Sequence, residues 1–390
     1  MKWIWTKESG QILPLTAALA VAFVLLLLGG VAVGEAFAAK NQAQAAANAG
    51  ALAGDTVLLQ TQDWNQAQPA AYAAAEKNGY SASDISASEV QTRSGSNAVQ
   101  VKVQGSVSFV LTMPVSSTSE GTGLYRQIDP YSLLTLGRNS CSTTSNGSGD
   151  LTVNGGMFSD GGINKNGPGP ITAGSIGVAP NGNGCNEDTD PEPQSGSLQS
   201  DPLSTWVVAP TQPVLGTETT SRSTDTYYPG FYPNGISENG SNTVVFEPGL
   251  YYVGGTGVSF NGSLTVSGSG LMFYFPPTGG GGLTVNGNVN VSLSAPTSPL
   301  YPGAPNGVVL WDAGSAYDTI NGGNDVQLNG TFYAPKANLV VNGTSTANML
   351  DGQVLTNSVT FNGHNDLTIG SSTSTWQATV SVPRLVTPGA

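Results

Sequence analysis

Phe260-Asn261-Gly262-Ser263-Leu264-Thr265-Val266-Ser267-Gly268 is the stretch whose reading decides the fold. Apolar and small polar residues alternate through it, and each short run ends on an apolar residue followed by Asn-Gly or Ser-Gly. Asn and Gly tolerate positive φ, so such a pair turns the chain sharply at the end of a short strand. The same punctuation recurs at Val153-Asn154-Gly155, Val285-Asn286-Gly287, Leu328-Asn329-Gly330, Val341-Asn342-Gly343 and Phe361-Asn362-Gly363. From Asn261 onward the Asn-Gly copies are spaced 25, 43, 13 and 20 residues apart. That irregularity suits rungs with loops inserted between them better than the fixed blades of a propeller. The predicted fold is mainly β, a right-handed parallel β-helix with a narrow core of Val, Leu and Phe, and Gly155, Gly262, Gly287, Gly330, Gly343 and Gly363 as its structural turns. An antiparallel β-sandwich uses the same turns and is the alternative.

Composition points the same way. Of 390 residues 52 are Gly and only 9% are charged, too few charges for an acidic disordered tail and too much Gly for a helical protein. The chain carries a net charge of −13. Without Lys2, Lys7, Lys40, Glu8 and Glu35, the residues from 41 on hold 9 basic against 23 acidic side chains, about −14, which excludes nucleic acid as a partner.

The first tenth of the chain is different. No Lys, Arg, Asp or Glu occurs from Ser9 to Gly34, and the 22 residues 12–33 reach across the ~30 Å hydrocarbon core as a helix. Lys2 and Lys7 precede the segment, which places the N-terminus in the cytoplasm and residues beyond it outside the cell membrane, with Trp3 and Trp5 at the headgroup layer. The lipid bilayer is thus one partner. A cleaved secretory signal is the rival reading, since Ala36-Phe37-Ala38 has the small-x-small form. The apolar core exceeds the ~7–15 residues of a signal, so the anchor is preferred.

The domain organisation read from the chain is a cytoplasmic stub at 1–11, a transmembrane helix at 12–33 and an Ala-rich helical stalk at 34–60. In the stalk Ala39, Ala43 and Ala47 form one stripe and Ala46, Gly50 and Gly54 a neighbouring one, small enough to let a second helix approach closely. A small α+β module follows at 61–115, with a helix over 66–78 ending at Gly79 and strands over 85–91 and 98–111 joined by a turn at 93–97. Residues 116–136 read as a linker. The β-helix occupies 137–370 with a Pro/Ser-rich insertion near 191–233 that runs over a surface, and 371–390 form a C-terminal strand and tail.

Gly10-Gln11-Ile12-Leu13-Pro14-Leu15, the apolar run, and Gly34-Glu35-Ala36-Phe37 through Asn48-Ala49-Gly50-Ala51-Leu52-Ala53-Gly54 resemble the N-terminal region of TadG-like proteins. These are associated with the tight-adherence (Flp) pilus assembly system. The resemblance covers about residues 8–60. Members of that family often carry an Asp where this chain has Val31-Ala32-Val33-Gly34. Glu247-Pro248-Gly249-Leu250-Tyr251-Tyr252 and Gly330-Thr331-Phe332-Tyr333-Ala334-Pro335-Lys336-Ala337 are similar to the exported β-rich region of many such proteins. The resemblance implies a membrane-tethered surface or envelope component linked to pilus assembly or adhesion, with pilus-assembly or envelope proteins as partners. The row of Asn, Thr and Ser along stacked rungs suits many weak hydrogen bonds to a surface glycan, so a glycan-binding adhesin is a further alternative.

Residues that carry chemistry are sparse. Cys141 and Cys185 both fall in the exported part, and an oxidising compartment lets them pair as a disulfide. Two cysteines and the single histidine, His364, do not make a zinc site, and no metal, cofactor or catalytic residue is assigned. A Ser/His/Asp triad would have to be built around His364, which reads instead as a solvent-facing turn residue. Asp312, Asp318, Asp325 and Asp351 offer paired carboxylates for a carbohydrate-active β-helix enzyme, the competing class. Lys336 is the sole basic residue between Arg222 and Arg384, however, which leaves a lyase without its cationic base. Glu187-Asp188-Thr189-Asp190 lacks the ordered spacing of a Ca²⁺ loop and reads as solvated. A pseudopilin is the remaining alternative, because Gly10 precedes an apolar helix, but Leu15 stands where those proteins carry Glu.

Overall fold

The computed structural model describes residues 12–61, 63–91, 97–108, 112–127, 131–180, 184–205, 207–322, 325–343, 348–364, 366–370 and 379–386. The chain forms two compact units, one of residues 1–124 with 382–390 and one of residues 125–381.

The first unit is built on α1 (Ile12–Thr61), a single helix of 50 residues. Its first half is long and apolar enough to cross a membrane, and Leu19, Phe23 and Leu26 are exposed along it. Its second half is no free stalk. Ala43, Ala46, Ala47 and Ala51 are completely buried against α2 (Trp64–Glu76), whose Ala67, Ala71 and Ala75 are equally buried, and against a sheet face of Val99, Val101 and Val103. The small-residue stripes therefore find their partner within the chain. A Cβ on Gly54 would lie 2.8 Å from Val99 Cγ1 and 2.9 Å from Ala71 Cβ, so only Gly lets the two helices and the sheet meet there.

At the start of α2, Asp63 accepts a hydrogen bond from the Asn65 backbone N–H at 2.9 Å, and Gly79 follows its end at φ +93°. The strands β1 (Ile85–Gln91) and β2 (Asn97–Ser108) pair antiparallel; residues 93–96 of the turn expected between them lie outside the described residues. Where a linker was expected, β3 (Thr112–Gln127) continues the sheet antiparallel to β2. Its Ser/Thr/Gly composition suits an alternating strand, with Val115, Ser117 and Ser119 turned inward. The C-terminal strand Thr379–Val386 completes a four-stranded sheet beside β3, so the end of the chain returns to the unit in which it began.

The second unit is a parallel β-solenoid of about 10 turns. Each turn has three short strands, and each of these pairs in parallel with its counterpart one turn on, while Glu218–Thr220 pairs antiparallel with Thr224–Tyr227 at the end of the stack. The first face carries Thr224–Tyr227, Thr243–Phe246, Thr265–Gly268 and their successors; the second Gly230–Tyr232, Gly249–Val253 and Leu271–Phe275; the third Ile236–Gly240, Val258–Gly262 and Leu283–Gly287. Inward positions are apolar. Tyr251, Phe246, Phe260 and Phe273 stack at one end, with the Phe246 and Phe273 rings 5.1 Å apart. Further along, the core thins to Val, Leu and Ile and then to a buried hydroxyl cluster in which Thr135 meets Ser142 at 2.8 Å and Ser159 at 3.0 Å.

The turns do not stack in sequence order. Tyr131–Thr135 and Thr143–Ser145 pair with Val354–Gly363, and Leu151–Ser159 pairs with Leu367–Ile369, so residues 131–195 form the last turns, beyond the residues that end the chain's passage. The chain enters the solenoid at the turn where it later leaves it, winds outward to Gln194–Ser195, and must then return to the far end to begin again at Glu218. Residues 196–217 make that return. Nine steps of ~4.8 Å need about 43 Å, well within the ~70 Å that 22 extended residues span. Of the expected Pro/Ser-rich insertion at 191–233, this part runs over the surface, Glu218–Thr220 forms an exposed antiparallel strand beside Thr224–Tyr227, and residues 224–232 already belong to the first turn.

Candidate functional site

The turn motifs become two kinds of corner. Gly155 and Gly330 sit between the first and second faces, at φ +123° and +149°. Gly262, Gly287, Gly343 and Gly363 are in register at the end of the third face. Gly287 has φ +87°, and a Cβ there would lie 2.7 Å from the Gly262 carbonyl oxygen of the adjacent turn. Gly363 corrects the expectation that positive φ is shared by the whole column, because it lies outside the left-handed region. Close backbone stacking is what it has in common with the others, since a Cβ would meet the Gly343 oxygen at 3.0 Å.

The asparagine before each of these glycines forms a ladder. Asn286, Asn321, Asn342, Asn362, Asn146 and Asn166 each donate Nδ2–H to Oδ1 of the asparagine one turn below, starting from Asn261, at 2.5–2.8 Å. The sequence marks these residues as turn formers. That they bond to each other was not legible, because Asn146 and Asn362 are 216 positions apart.

The second face carries a matching outward column. Phe231, Tyr252, Tyr274, Trp311, Tyr333, Leu355, Leu134 and Phe158 lie in consecutive register, with neighbouring aromatic rings 5.1–5.5 Å apart from Phe231 to Tyr333. The return segment is tacked along the solenoid at Gly196 N–H to Val178 O, Gln199 N–H to Asp160 Oδ1, Tyr333 OH to Asp201 Oδ2 and Val208 N–H to Gly303 O, and it ends on Phe231 N–H to Val214 O. Tyr274, Trp311 and Tyr333 are consequently buried, and burial raises the phenols of Tyr274, to about 12, and Tyr333. The column is a covered seam.

Cys141 and Cys185 form a disulfide with Cα atoms 5.9 Å apart, tying together the last turns. Among the acidic loop residues, Asp188 accepts from Lys165 Nζ at 2.6 Å. His364 is exposed and its Nδ1 meets Ser148 Oγ at 2.5 Å, while the Asp366 carboxylate accepts from the Asp150 backbone N–H at 3.0 Å and not from the imidazole. The relay of a triad is not formed by these residues.

Of the four aspartates that sequence offered as pairs, the structure brings two together. Asp312 and Asp318 are both buried at the corner between the second and third faces of one turn. Asp312 Oδ1 accepts from Gly314 N–H and Asp318 Oδ1 from Leu283 N–H, each at 2.7 Å. Burial pushes Asp312 up to about 6, and burial followed by the Asp312 charge pushes Asp318 well above the usual carboxylate range. Asp325 is exposed and bonded to Gln327 on its own strand, and Asp351 is engaged through its backbone carbonyl. In the first unit, burial holds Asp55 on α1 up to about 7. No sequence signal set Asp55 apart from its helix.

No family model matches the chain, and no curated protein matches it. Among solved structures it is similar to the competence-associated pilin ComZ from Thermus thermophilus, at 11% identity over 99% of this chain and 100% of that one. The TM-score of 0.22 is too low for that likeness to bear on fold or function.

Proposed function

We propose that the protein is a non-enzymatic, single-pass membrane-anchored surface or envelope component of the tight-adherence pilus-assembly type, with its N-terminus in the cytoplasm. One observation carries the reading. A single helix exposes Leu19, Phe23 and Leu26 in its first half and buries Ala43, Ala47 and Ala51 in its second, so the element that demands a bilayer is also the spine of a folded module. The solenoid spends its side chains on itself, as amide ladder, covered aromatic seam and hydroxyl cluster, which favours a rigid displayed body over a catalytic or glycan-capturing surface.

The test is fractionation. The full-length protein should stay with membranes through alkaline carbonate extraction, and external protease should digest the solenoid on intact spheroplasts. Deleting residues 12–33 should release it. A soluble protein whose mature N-terminus is Ala39 would replace the anchor with a cleaved signal.

The continuity of α1 from its apolar half into its packed half also favours a second reading, a pilin-like subunit whose exposed helix packs among copies of itself. Recovery in sheared surface filaments, in amounts comparable with the major filament protein, would favour that reading over a lone anchor.

A further inference from the structure

Along the third face, the inward positions of successive turns are Val258, Leu283, Asp318, Leu339 and Val359. An aspartate thus occupies a slot between two leucines in a column that is otherwise aliphatic. Its exposure is 0%, and that of Asp312 at the same corner is 1%. Each carboxylate has Oδ1 on a backbone N–H, and each has an Oδ2 that is buried without a hydrogen-bond partner. The described ion pairs are Arg138–Asp160 and Lys165–Asp188, neither of which involves this pair, and Lys336, the sole basic residue between Arg222 and Arg384, is exposed. Two carboxylates buried at one corner without a cation are an arrangement a protein interior tolerates poorly.

A backbone carbonyl oxygen and a carboxylate oxygen border the same glycine at each of two positions. A Cβ placed on Gly314 would lie 3.0 Å from Asp312 Oδ1 and 3.6 Å from Pro276 O, and one on Gly282 would lie 2.6 Å from Tyr317 O and 2.8 Å from Asp318 Oδ1. Glycine at these two positions leaves out a Cβ that would crowd the oxygens. The loop above, through Pro277, Thr278 and Gly279, is exposed, with open space around Gly279. We propose that Asp312 and Asp318, with neighbouring backbone carbonyls, hold one divalent cation of the hard, oxygen-seeking kind, calcium, inside the fourth turn of the solenoid. Calcium takes oxygen ligands from carboxylates and main-chain carbonyls in flexible geometry, and magnesium, which keeps its waters, fits a dry corner poorly. The ion neutralises both carboxylates and engages the two unpartnered oxygens.

Full-length protein in detergent, stripped with EDTA and dialysed against calcium, should retain one calcium per chain by elemental mass spectrometry, and the solenoid should melt about 5 °C higher than in EDTA. The double variant Asp312→Asn/Asp318→Asn should lose both the bound ion and the shift. Asp318→Leu, which restores the aliphatic column, serves as the folding control: it should keep the β signature, melt no lower than calcium-free wild type and ignore calcium. Wild-type protein that binds no calcium, with a melt indifferent to calcium and EDTA, would overturn the proposal in favour of a proton shared by the two carboxyls. A calcium shift that survives in the double variant, or disappears instead in Glu187→Gln/Asp188→Asn, would overturn it equally.

Discussion

The two units solve the same problem with opposite materials. In the N-terminal unit the core is Ala on two helices against Val on a sheet, with Gly50, Gly54 and Gly121 where the surfaces come close. In the solenoid it is Tyr, Phe, Leu and Val, repeated turn on turn. Small residues give close approach and little buried area per residue, so the first unit depends on fit at a few contacts. The solenoid spreads its stability over many similar interfaces between neighbouring turns, and depends on backbones that stack at corners.

The comparison predicts that a side chain added at a solenoid corner does the most damage. Gly262 has φ +101°, and a Cβ would lie 2.4 Å from the Gly240 carbonyl oxygen, a backbone atom that cannot swing aside. Gly262→Val should cost about 4 kcal/mol, from the strained φ and the collision together. Thermal melts followed separately by near-UV signals of the solenoid aromatics would show its transition lowered and that of the N-terminal unit unmoved. A solenoid transition at its original temperature would mean that the corners are looser than their stacking indicates.

The N-terminal unit should instead respond most to pH. Asp55 is fully buried, neither carboxylate oxygen has a hydrogen-bond partner, and burial raises it from the ordinary 3.8 to about 7. Its folded form therefore holds a proton that the unfolded chain has already lost above pH 4. Stability contributed by the neutral acid is present below pH 4, falls as pH rises, and is gone above about pH 7, a change on the order of 3 kcal/mol. Denaturant unfolding at pH 4.5 and pH 8 should show the decline in wild type, and a flatter profile in Asp55→Asn. An Asp55→Asn variant with the same slope would assign the pH dependence to other groups.

Gly54→Val comes next, at about 2–3 kcal/mol, because its Cβ would press on Val99 Cγ1 and Ala71 Cβ, side-chain atoms that can yield slightly. Gly34→Val, on the same helix with nothing within 4 Å, is its control and should leave the melt unchanged.

What sequence could and could not show follows the same division. The corners of the solenoid were legible because Asn-Gly acts locally, within the residues that it turns. The order of the turns was not, because each turn presents a similar edge of short alternating strand. Nothing near Leu151 or Leu367 says that they pair across 216 positions. The return of residues 196–217 along the solenoid follows only once that order is known. In the N-terminal unit the Ala and Gly stripes showed that something packs closely on α1, but not that α2 and β2 of the same chain do so, nor that Thr379–Val386 joins the sheet. The aspartate pair was visible only as four candidates. Register against Leu283 and Leu339 is what singles out Asp318.

The smallest effect is expected at the residue that sequence alone would most readily make catalytic. His364 lies on the exposed side of a corner, and its imidazole meets Ser148 Oγ, one turn away. An exposed hydrogen bond exchanges readily with water, so His364→Ala should change stability by less than about 0.5 kcal/mol. It should also leave the protein as inert toward neutral and acidic polysaccharides as wild type, since the Asp366 carboxylate is turned to the Asp150 backbone N–H and the imidazole to Ser148 Oγ. Reducing-sugar assays on wild type and variant, run beside the melts, check both halves. If wild type released sugar and His364→Ala did not, while Gly262→Val still folded, the ranking would invert: the solenoid would be a scaffold for an active site at the Ser148–His364 corner, and the non-enzymatic reading would fail with it.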